Sequence, residues 1–426
     1  MKLFSVEELA KMEPAFGPTG AIVYNSRYSR EKQDGTKENF LETIIRTVDG
    51  NLSLVNPRHN EPDERLKLIN LFFLGKALPA GRHLWMSGIP GRQFLFNCHV
   101  AHWDTNDLAA HYTFTFDQLM QGGGVGANYS NRFIRSYPRI ASLVDLHIVC
   151  DPRHDDYDTI KPYLSQDVSS DWPGNFLVDD SREGWCAVQR KLIESAYSKS
   201  SERLVVDVSR IRESGAIIRT FGGVSAGPEP LVRMLTKYAD LLNGRVGEKL
   251  SSLDHMMLDH FTGEAVVSGN VRRSARMSIK HWNDMDIFDF VNAKADPEFH
   301  WSTNISVEID DAFFRAFKRG NPHALELYEA VTAGMVLNGE PGFWNSSLSN
   351  VGETNQIVST NPCGEIALEP WENCNLGHIN LSAFANEGDP IEAHRLMARF
   401  LIRATFGDVP NERQAEVLHR NRRIGV

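Results

Sequence analysis

From about residue 91 onward, short β-branched runs alternate with amphipathic helical stretches, and glycine-rich loops mark many of the joins. "RQFLFNCHV", "ERLVVDVSRI" and "HWSTNISVEI" read as strands, and "HALELYEAVTAGMVL" reads as a helix. Strands separated by helices in this way predict an α/β fold, with ligands held at loop ends. Ahead of this region the chain is mainly helical. "ENFLETIIRTV" is one amphipathic helix, and "PDERLKLINLFFLGKAL" is another with Pro62 at its start. "SREKQDGTK" is a charged surface loop, and "LPAGRHLWMSG" is a connection punctuated by Pro and Gly.

Several further segments carry specific expectations. "FTFDQLMQGGGVGANYS" reads as a helix broken by Gly122, Gly123, Gly124 and Gly126. "VDDSREGWCAVQRKLIESAY" opens on a capping signal, Asp180 with Glu183 three residues on. "FGGVSAGPEPLVRMLTKYADLL" is a loop feeding a helix. "GEAVVSGNVRRSARMSI" reads strand–loop–strand with Arg272 and Arg273 at the turn. The last residues, "AEVLHRNRRIGV", read as a helix leading into a strand.

The 426 residues allow two to three domains, or one large α/β barrel with additions, and 42% hydrophobic content allows a sizeable core. A net charge of −10 argues against a broad basic footprint, so no nucleic-acid partner is expected. Small anions remain possible, because they need only a few local donors. No apolar run approaches the length of a membrane span or a signal peptide, so no membrane association and a cytoplasmic location are expected. In a reducing cytosol, paired cysteines are expected to serve catalysis rather than stability.

Some motifs have two readings. "GGGVG" could cradle a phosphate, but it matches neither the dinucleotide fingerprint nor the Walker pattern, and a tight turn is the simpler reading. The arginines of "GNVRRSAR" suit an anion or nucleotide contact, or else form a solvated charge cluster. His255 and His260 are five residues apart, off a common helical face, which disfavours a metal site. His300 and Trp301 are expected to enter the core on a strand, and Cys150 and Cys186 to be small buried hydrophobes.

The remaining cysteines, Cys98, Cys363 and Cys374, pose the chemical question. Zinc would want CxxC pairs or interleaved histidines, and none exist. A cysteine hydrolase would need a base, for which His99 or His378 could serve. In the redox reading, two thiols supply two electrons by forming a disulfide, while a third cysteine beside a carboxylate abstracts hydrogen. "TNPCGEIALEPWENCNL" puts Glu365 two residues after Cys363 and Cys374 eleven after it. Pro362 and Gly364 would shape a tight loop, and Asn361 would hold a hydroxyl.

These residues carry a resemblance to a known family. "NPCGEI" with "CNL" resembles the finger-loop signature of ribonucleotide reductases. "GRHLWMSG", "FNC", "FDQLMQGGGVG", "DSREGW", "FGGVSAGPEPL", "GNVRRSA", "NGEPG", "TNPCGEI" and "HRNRRIGV" follow in the family's order. The chain is most similar to the monomeric, adenosylcobalamin-dependent class II ribonucleoside-triphosphate reductases. The resemblance implies a ten-stranded α/β barrel around the finger loop, of which this chain covers the first part. It implies a helical region over 1–90, a catalytic portion over 91–426, an effector-site insertion near 150–230 and a finger loop near 358–376.

The resemblance also implies roles. Cys363 would be the thiyl radical taking the ribose 3′-hydrogen, Glu365 the acceptor of the 3′-hydroxyl proton, and Asn361 a ribose contact. Cys98 and Cys374 would be the reducing dithiol. Gly269, Asn270, Arg272, Arg273 and Ser274 would lie in the loop linking a deoxynucleotide effector to substrate choice, with Asp104 and Arg135 nearby. Adenosylcobalamin would be the cofactor, and no metal ligands are expected from side chains. The implied partners are a ribonucleoside triphosphate, a deoxynucleoside triphosphate effector and a thioredoxin-type reductant. The family continues for several hundred residues beyond the equivalent of Val426. A companion polypeptide, an intervening element or a fragment would each account for this, and no ATP-cone domain is expected. The alternatives within the family are a class I-type large subunit with a metal-containing radical partner, or a non-catalytic nucleotide-binding half.

Overall fold

Helix Phe40–Leu52 begins where Asn39 accepts a hydrogen bond from the Glu42 N–H and Glu42 reaches back to the Asn39 N–H. Such a reciprocal cap contributes about 1 kcal/mol. In this computed structural model all residues are described except 1, 33, 90–92, 167, 169–174, 201–202, 219–223, 269–273, 386–388 and 410. The chain forms two units, Met1–Cys98 with Trp371–Val426, and His99–Pro370.

The first unit has a helical core. Ile44 and Val48 pack with Leu68, Ile69 and Phe72 of helix Glu64–Phe73, and with Leu396, Met397 and Phe400 of helix Pro390–Ala404. Phe72 and Phe400 meet edge to face at 5.2 Å, and the Asn51 amide donates to the Phe400 carbonyl at 2.8 Å. The helix expected to run on to Leu78 stops at Phe73, because Gly75 takes φ +63° and the chain turns into strand Ala77–Pro79. That strand pairs antiparallel with Asn373–Ile379, which also carries Ile424–Gly425 in parallel. "GRHLWM", expected as a connection, is a helix over Gly81–Met86, because helical spacing buries Arg82, His83, Leu84 and Met86 together.

Glu64 is buried in this unit and receives hydrogen bonds from Arg399 (2.9 Å), Arg403 and the Glu61 N–H (2.9 Å). Burial alone would raise its pKa, but the arginine and backbone hydrogen bonds outweigh it and hold the carboxyl at about 2. A depressed carboxyl pKa stabilises the fold above the unfolded-state value and loses that contribution as pH falls through the folded value. The Glu64 contribution is therefore expected to disappear between about pH 4.5 and pH 2. Glu64→Gln leaves buried Arg403 without its anion and Arg399 with Glu61 at 3.3 Å, and is expected to cost ~3 kcal/mol at pH 7. Urea unfolding as a function of pH checks both: the variant's acid slope should be shallower than the wild type's.

The second unit is built on four parallel strands in the order Gly124–Asn128, Ala275–His281, Thr303–Ile309 and Gly342–Asn345. Gly126 lies opposite Met277, Ile305 opposite Ser278, and Val307 opposite Phe343. Helices fill the crossovers, as parallel pairing requires. Pro322–Asn338 is one, with Asn321 capping the Ala324 N–H and Gly339 closing it at φ +84°. Helices Ala110–Met120, Arg182–Tyr197, Glu229–Asn243 and Ser252–Ser268 pack on one another. A smaller parallel sheet sets Arg203–Asp207 between Asp145–Val149 and Asn175–Leu177.

Here too the structure corrects local expectations. "GGGVG" is a turn only at its start: Gly122, at φ +72°, closes the turn that ends helix Ala110–Met120, and Gly124–Asn128 is a fully buried strand. "GEAVVS" is the end of helix Ser252–Ser268, not a strand, because Leu258, Thr262, Ala265 and Val266 recur at helical spacing in the packed interface. Val–Val propensity loses to tertiary packing there. The cap of helix Arg182–Tyr197 is Ser181, whose Oγ accepts from the Gly184 N–H at 3.0 Å, while Asp180 pairs with Arg212 at 2.7 Å. Strand Thr303–Ile309 begins after Trp301, which is exposed rather than in the core. Cys150 and Cys186 are half-buried, and burial pushes the Cys150 thiol up to about 11 and the Cys186 thiol well above its ordinary value.

Candidate active site

Strands Ser359–Thr360 and Ala367–Leu368 pair antiparallel and form a hairpin whose turn is residues 361–366. The turn closes on Asn361. Its backbone N–H donates to the Ile366 carbonyl at 3.0 Å, its carbonyl accepts from the Gly364 N–H at 3.0 Å, and its Oδ1 accepts from the Ile366 N–H at 3.0 Å. Gly364 takes φ +85°, a conformation that any side chain would strain. Asn361 is thus buried in the turn.

Cys363 lies at the tip and is exposed, as is Glu365. Partial burial, and then the nearby Glu365 carboxylate, push the Cys363 thiol above its ordinary value. A thiol held protonated beside an acceptor carboxylate suits hydrogen-atom chemistry better than nucleophilic attack, which needs thiolate.

The hairpin lies against the glycine strand. A Cβ on Gly126 would sit 1.7 Å from the Thr360 carbonyl oxygen, and one on Gly124 would sit 2.5 Å from Pro362 Cγ. Those two positions therefore exclude side chains so that the Thr360 backbone and the Pro362 ring can pass. Beneath it, Met277, Ile279, Trp344 and Ile357 form an apolar floor with Ala367. Polar anchors complete the setting. Asn128 Nδ2 donates to the Val358 carbonyl at 2.8 Å and to buried Glu308 at 2.9 Å, and Arg132 donates to both Glu308 carboxylate oxygens at 2.7 and 2.8 Å. Asn304 Nδ2 donates to the Pro362 carbonyl at 2.7 Å. None of these anchors is flagged by a local motif. The sequence signal is the alternation that sets polar Asn304, Ser306 and Glu308 on one face of the strand.

The other two thiols belong to the first unit and are buried. Cys98 opens a short strand that is a hydrogen-bonded neighbour of Asn373–Ile379, the strand carrying Cys374. Two of the three sulfurs thus sit on adjacent strands. Of the residues expected at an effector site, Gly269, Asn270, Arg272 and Arg273 lie outside the described residues. Ser274 immediately precedes strand Ala275–His281. Asp104 forms a turn through the Asn106 N–H at 2.8 Å, and its backbone meets the Tyr137 hydroxyl. Arg135 is exposed at the end of the short helix Asn131–Ile134, with its carbonyl accepting from Lys249. Among the described residues no cluster has the makings of a metal site, and no helix is long and apolar enough to cross a membrane.

Comparison with known proteins places this geometry. The family profile "ribonucleotide reductase alpha domain" matches residues 2–89, "B12-dependent ribonucleotide reductase, insertion domain" matches 144–242, and "ribonucleotide reductase, barrel domain" matches 321–426. A protein of Mycobacterium phage D29, provisionally named an adenosylcobalamin-dependent ribonucleoside-triphosphate reductase, is 50% identical across 97% of this chain and 64% of its own length. The adenosylcobalamin-dependent ribonucleoside-triphosphate reductase of Lactobacillus delbrueckii subsp. bulgaricus is 32% identical across 98% of this chain and 62% of its own. The crystal structure of a B12-dependent (class II) ribonucleotide reductase superposes with a TM-score of 0.83 at 30% identity, over 99% of this chain and 64% of that one. The class Id α subunit of Actinobacillus ureae, at 12% identity and a TM-score of 0.54, shares the fold alone. The chain therefore spans less than two thirds of the length of these relatives. Its α/β fold with a helical N-terminal region is that of the class II enzymes, and the chain belongs to the B12-dependent ribonucleotide reductase family.

Proposed function

We propose that this chain carries the hydrogen-abstracting part of a ribonucleoside-triphosphate reductase that makes 2′-deoxyribonucleotides for DNA synthesis in the cytoplasm. The observation that carries the reading is the hairpin that presents an exposed, protonated Cys363 thiol beside the Glu365 carboxylate. The insertion-domain match supports the B12-dependent type over a class I large subunit.

When bound, adenosylcobalamin supplies the initiating radical, and the open tip of the hairpin fits a large group reaching Cys363 from outside. The protein side of the chemistry is then as follows. The Cys363 sulfur takes the 3′-hydrogen atom of the ribose and later returns it. Glu365 accepts the 3′-hydroxyl proton. Asn361 holds the sugar through its amide. Cys98 and Cys374 give up two electrons and two protons: the 2′-hydroxyl leaves as water, hydrogen takes its place, and the two sulfurs join as a disulfide. A thioredoxin-type reductant restores the dithiol. The loop over Gly269–Ser274, with Asp104 and Arg135, receives a deoxynucleoside triphosphate that sets substrate choice. The mainly helical 1–90 region, the 150–230 insertion and the 358–376 loop serve this scheme, and a companion segment completes the barrel.

The test is conversion of each ribonucleoside triphosphate by the complete assembly, with and without adenosylcobalamin, read by chromatography of the nucleotides. Deoxynucleotide formed only with the cofactor is expected, and its absence from the complete assembly overturns the reading. Cys98→Ser or Cys374→Ser is expected to block multiple turnover with a dithiol or thioredoxin-type reductant. Steady product formation by either variant would remove those two cysteines from the scheme.

A further inference from the structure

The hairpin is suspended from strand Thr303–Ile309 at two points. Asn304 and Glu308 are four residues apart and share a face of that strand. Glu308 acts on the root of the hairpin, through Asn128, whose amide reaches the Val358 carbonyl at 2.8 Å. Asn304 acts on the tip directly, because its Nδ2 donates to the Pro362 carbonyl at 2.7 Å, in the peptide unit joined to Cys363. The two attachments differ in setting. Glu308 and Asn128 are buried and tied to Arg132 and Ser130, so they read as framework. Asn304 is exposed, on the side where the Cys363 thiol is also exposed. Asn304 is the one exposed residue of that strand, near its start and between buried Thr303 and Ile305, so packing does not account for it.

We propose that Asn304 is a positioning residue for Cys363: its amide fixes the peptide that carries the reactive sulfur and so sets the direction in which the thiol points. The proposal rests on the reading of Cys363 as the hydrogen-abstracting group. The glycine strand keeps the hairpin from moving inward, because the Thr360 carbonyl and the Pro362 ring already occupy the space a Cβ would need. It does not stop the tip from swinging outward, and the Asn304 bond does.

Two variants test this, with two readouts. Asn304→Ala removes the tether at an exposed site, where little loss of stability is expected. A sulfur displaced by about 1 Å loses on the order of 10- to 100-fold in rate, so kcat should fall by that factor while KM stays within about threefold. A loosened tip also solvates the thiolate better, which brings the raised thiol pKa back toward its ordinary value. Alkylation of Cys363 by iodoacetamide at pH 8, followed by mass spectrometry of its peptide, should then quicken by about threefold or more. Asn304→Asp keeps the shape but can donate to the Pro362 carbonyl only when its new carboxyl is protonated. Its turnover relative to wild type should therefore recover as the pH is lowered, which a purely structural role would not produce. Wild-type kcat and alkylation rate in Asn304→Ala, or a flat pH ratio in Asn304→Asp, overturn the proposal. Cys363→Ser run alongside separates the two ideas. If that variant turns over normally, the reading of Cys363 fails, and the alkylation rates alone then decide whether the tether exists. If it is inactive while the Asn304 variants match wild type, the tether fails and the reading of Cys363 stands.

Discussion

Cys363→Ser is expected to reduce deoxynucleotide formation by at least about 10⁴-fold in the complete assembly while nucleotide binding persists. An alcohol O–H is much stronger than a thiol S–H, so serine cannot be the carrier of the hydrogen atom, and no other cysteine shares the hairpin turn. Removing a group that forms the reactive intermediate costs whole steps rather than a fraction of a barrier. The substitution should leave the fold intact, because the thiol is exposed and the turn is held by Asn361, Gly364 and Asn304 rather than by sulfur. Single-turnover product analysis and equilibrium nucleotide binding on the same preparation check the claim. Residual single-turnover activity within about tenfold of wild type would refute it.

Gly126→Ala is expected to have the largest structural effect. The new methyl would lie 1.7 Å from the Thr360 carbonyl oxygen and 2.9 Å from its carbon, where no rotamer gives relief because the Cβ position is fixed by the backbone. Gly126 is held in register opposite Met277, and its carbonyl accepts from the Ala101 N–H, so the strand cannot yield easily. The hairpin must move instead by well over 1 Å. A cost of ~3 kcal/mol or more in stability is expected, with a loss of about 100-fold in turnover from displacement of Cys363. Denaturant unfolding and steady-state rates measure the two effects. Gly17→Ala, at a helix N-cap with nothing within 4 Å, is the control: it should cost no more than about 1 kcal/mol and leave turnover unchanged.

These expectations also show which parts of the molecule the sequence made readable. The hairpin turn was readable because its chemistry is local: Pro362 restricts the backbone and Gly364 permits positive φ, each next to Cys363. The anchors were not, because they depend on contacts between distant residues. Asn304 and Pro362 are separated by 58 positions, and Asn128 and Val358 by 230. "GGGVG" was readable only at Gly122, for the same reason. Glycine suggests a turn when read locally, and only the passing hairpin explains why a buried strand has no side chains there. "GEAVVS" failed because β-branched residues at the end of a helix look like a strand until the helix packing is known. The alternation of strand and helix came through well, since it rests on burial patterns several turns long.

The interrupted make-up of the first unit bears on how the molecule is born. Its early helices bury Ile44, Leu68 and Phe72 against Met397 and Phe400, and the Glu64 carboxylate waits for Arg399 and Arg403. All of those partners are synthesised after residues 99–370. At roughly 5–20 residues per second the ribosome leaves the first segment exposed for tens of seconds before its mates emerge. The contiguous middle unit can finish folding meanwhile, so the nascent polypeptide carries an apolar, chaperone-accessible segment for as long as residues 99–370 are being made.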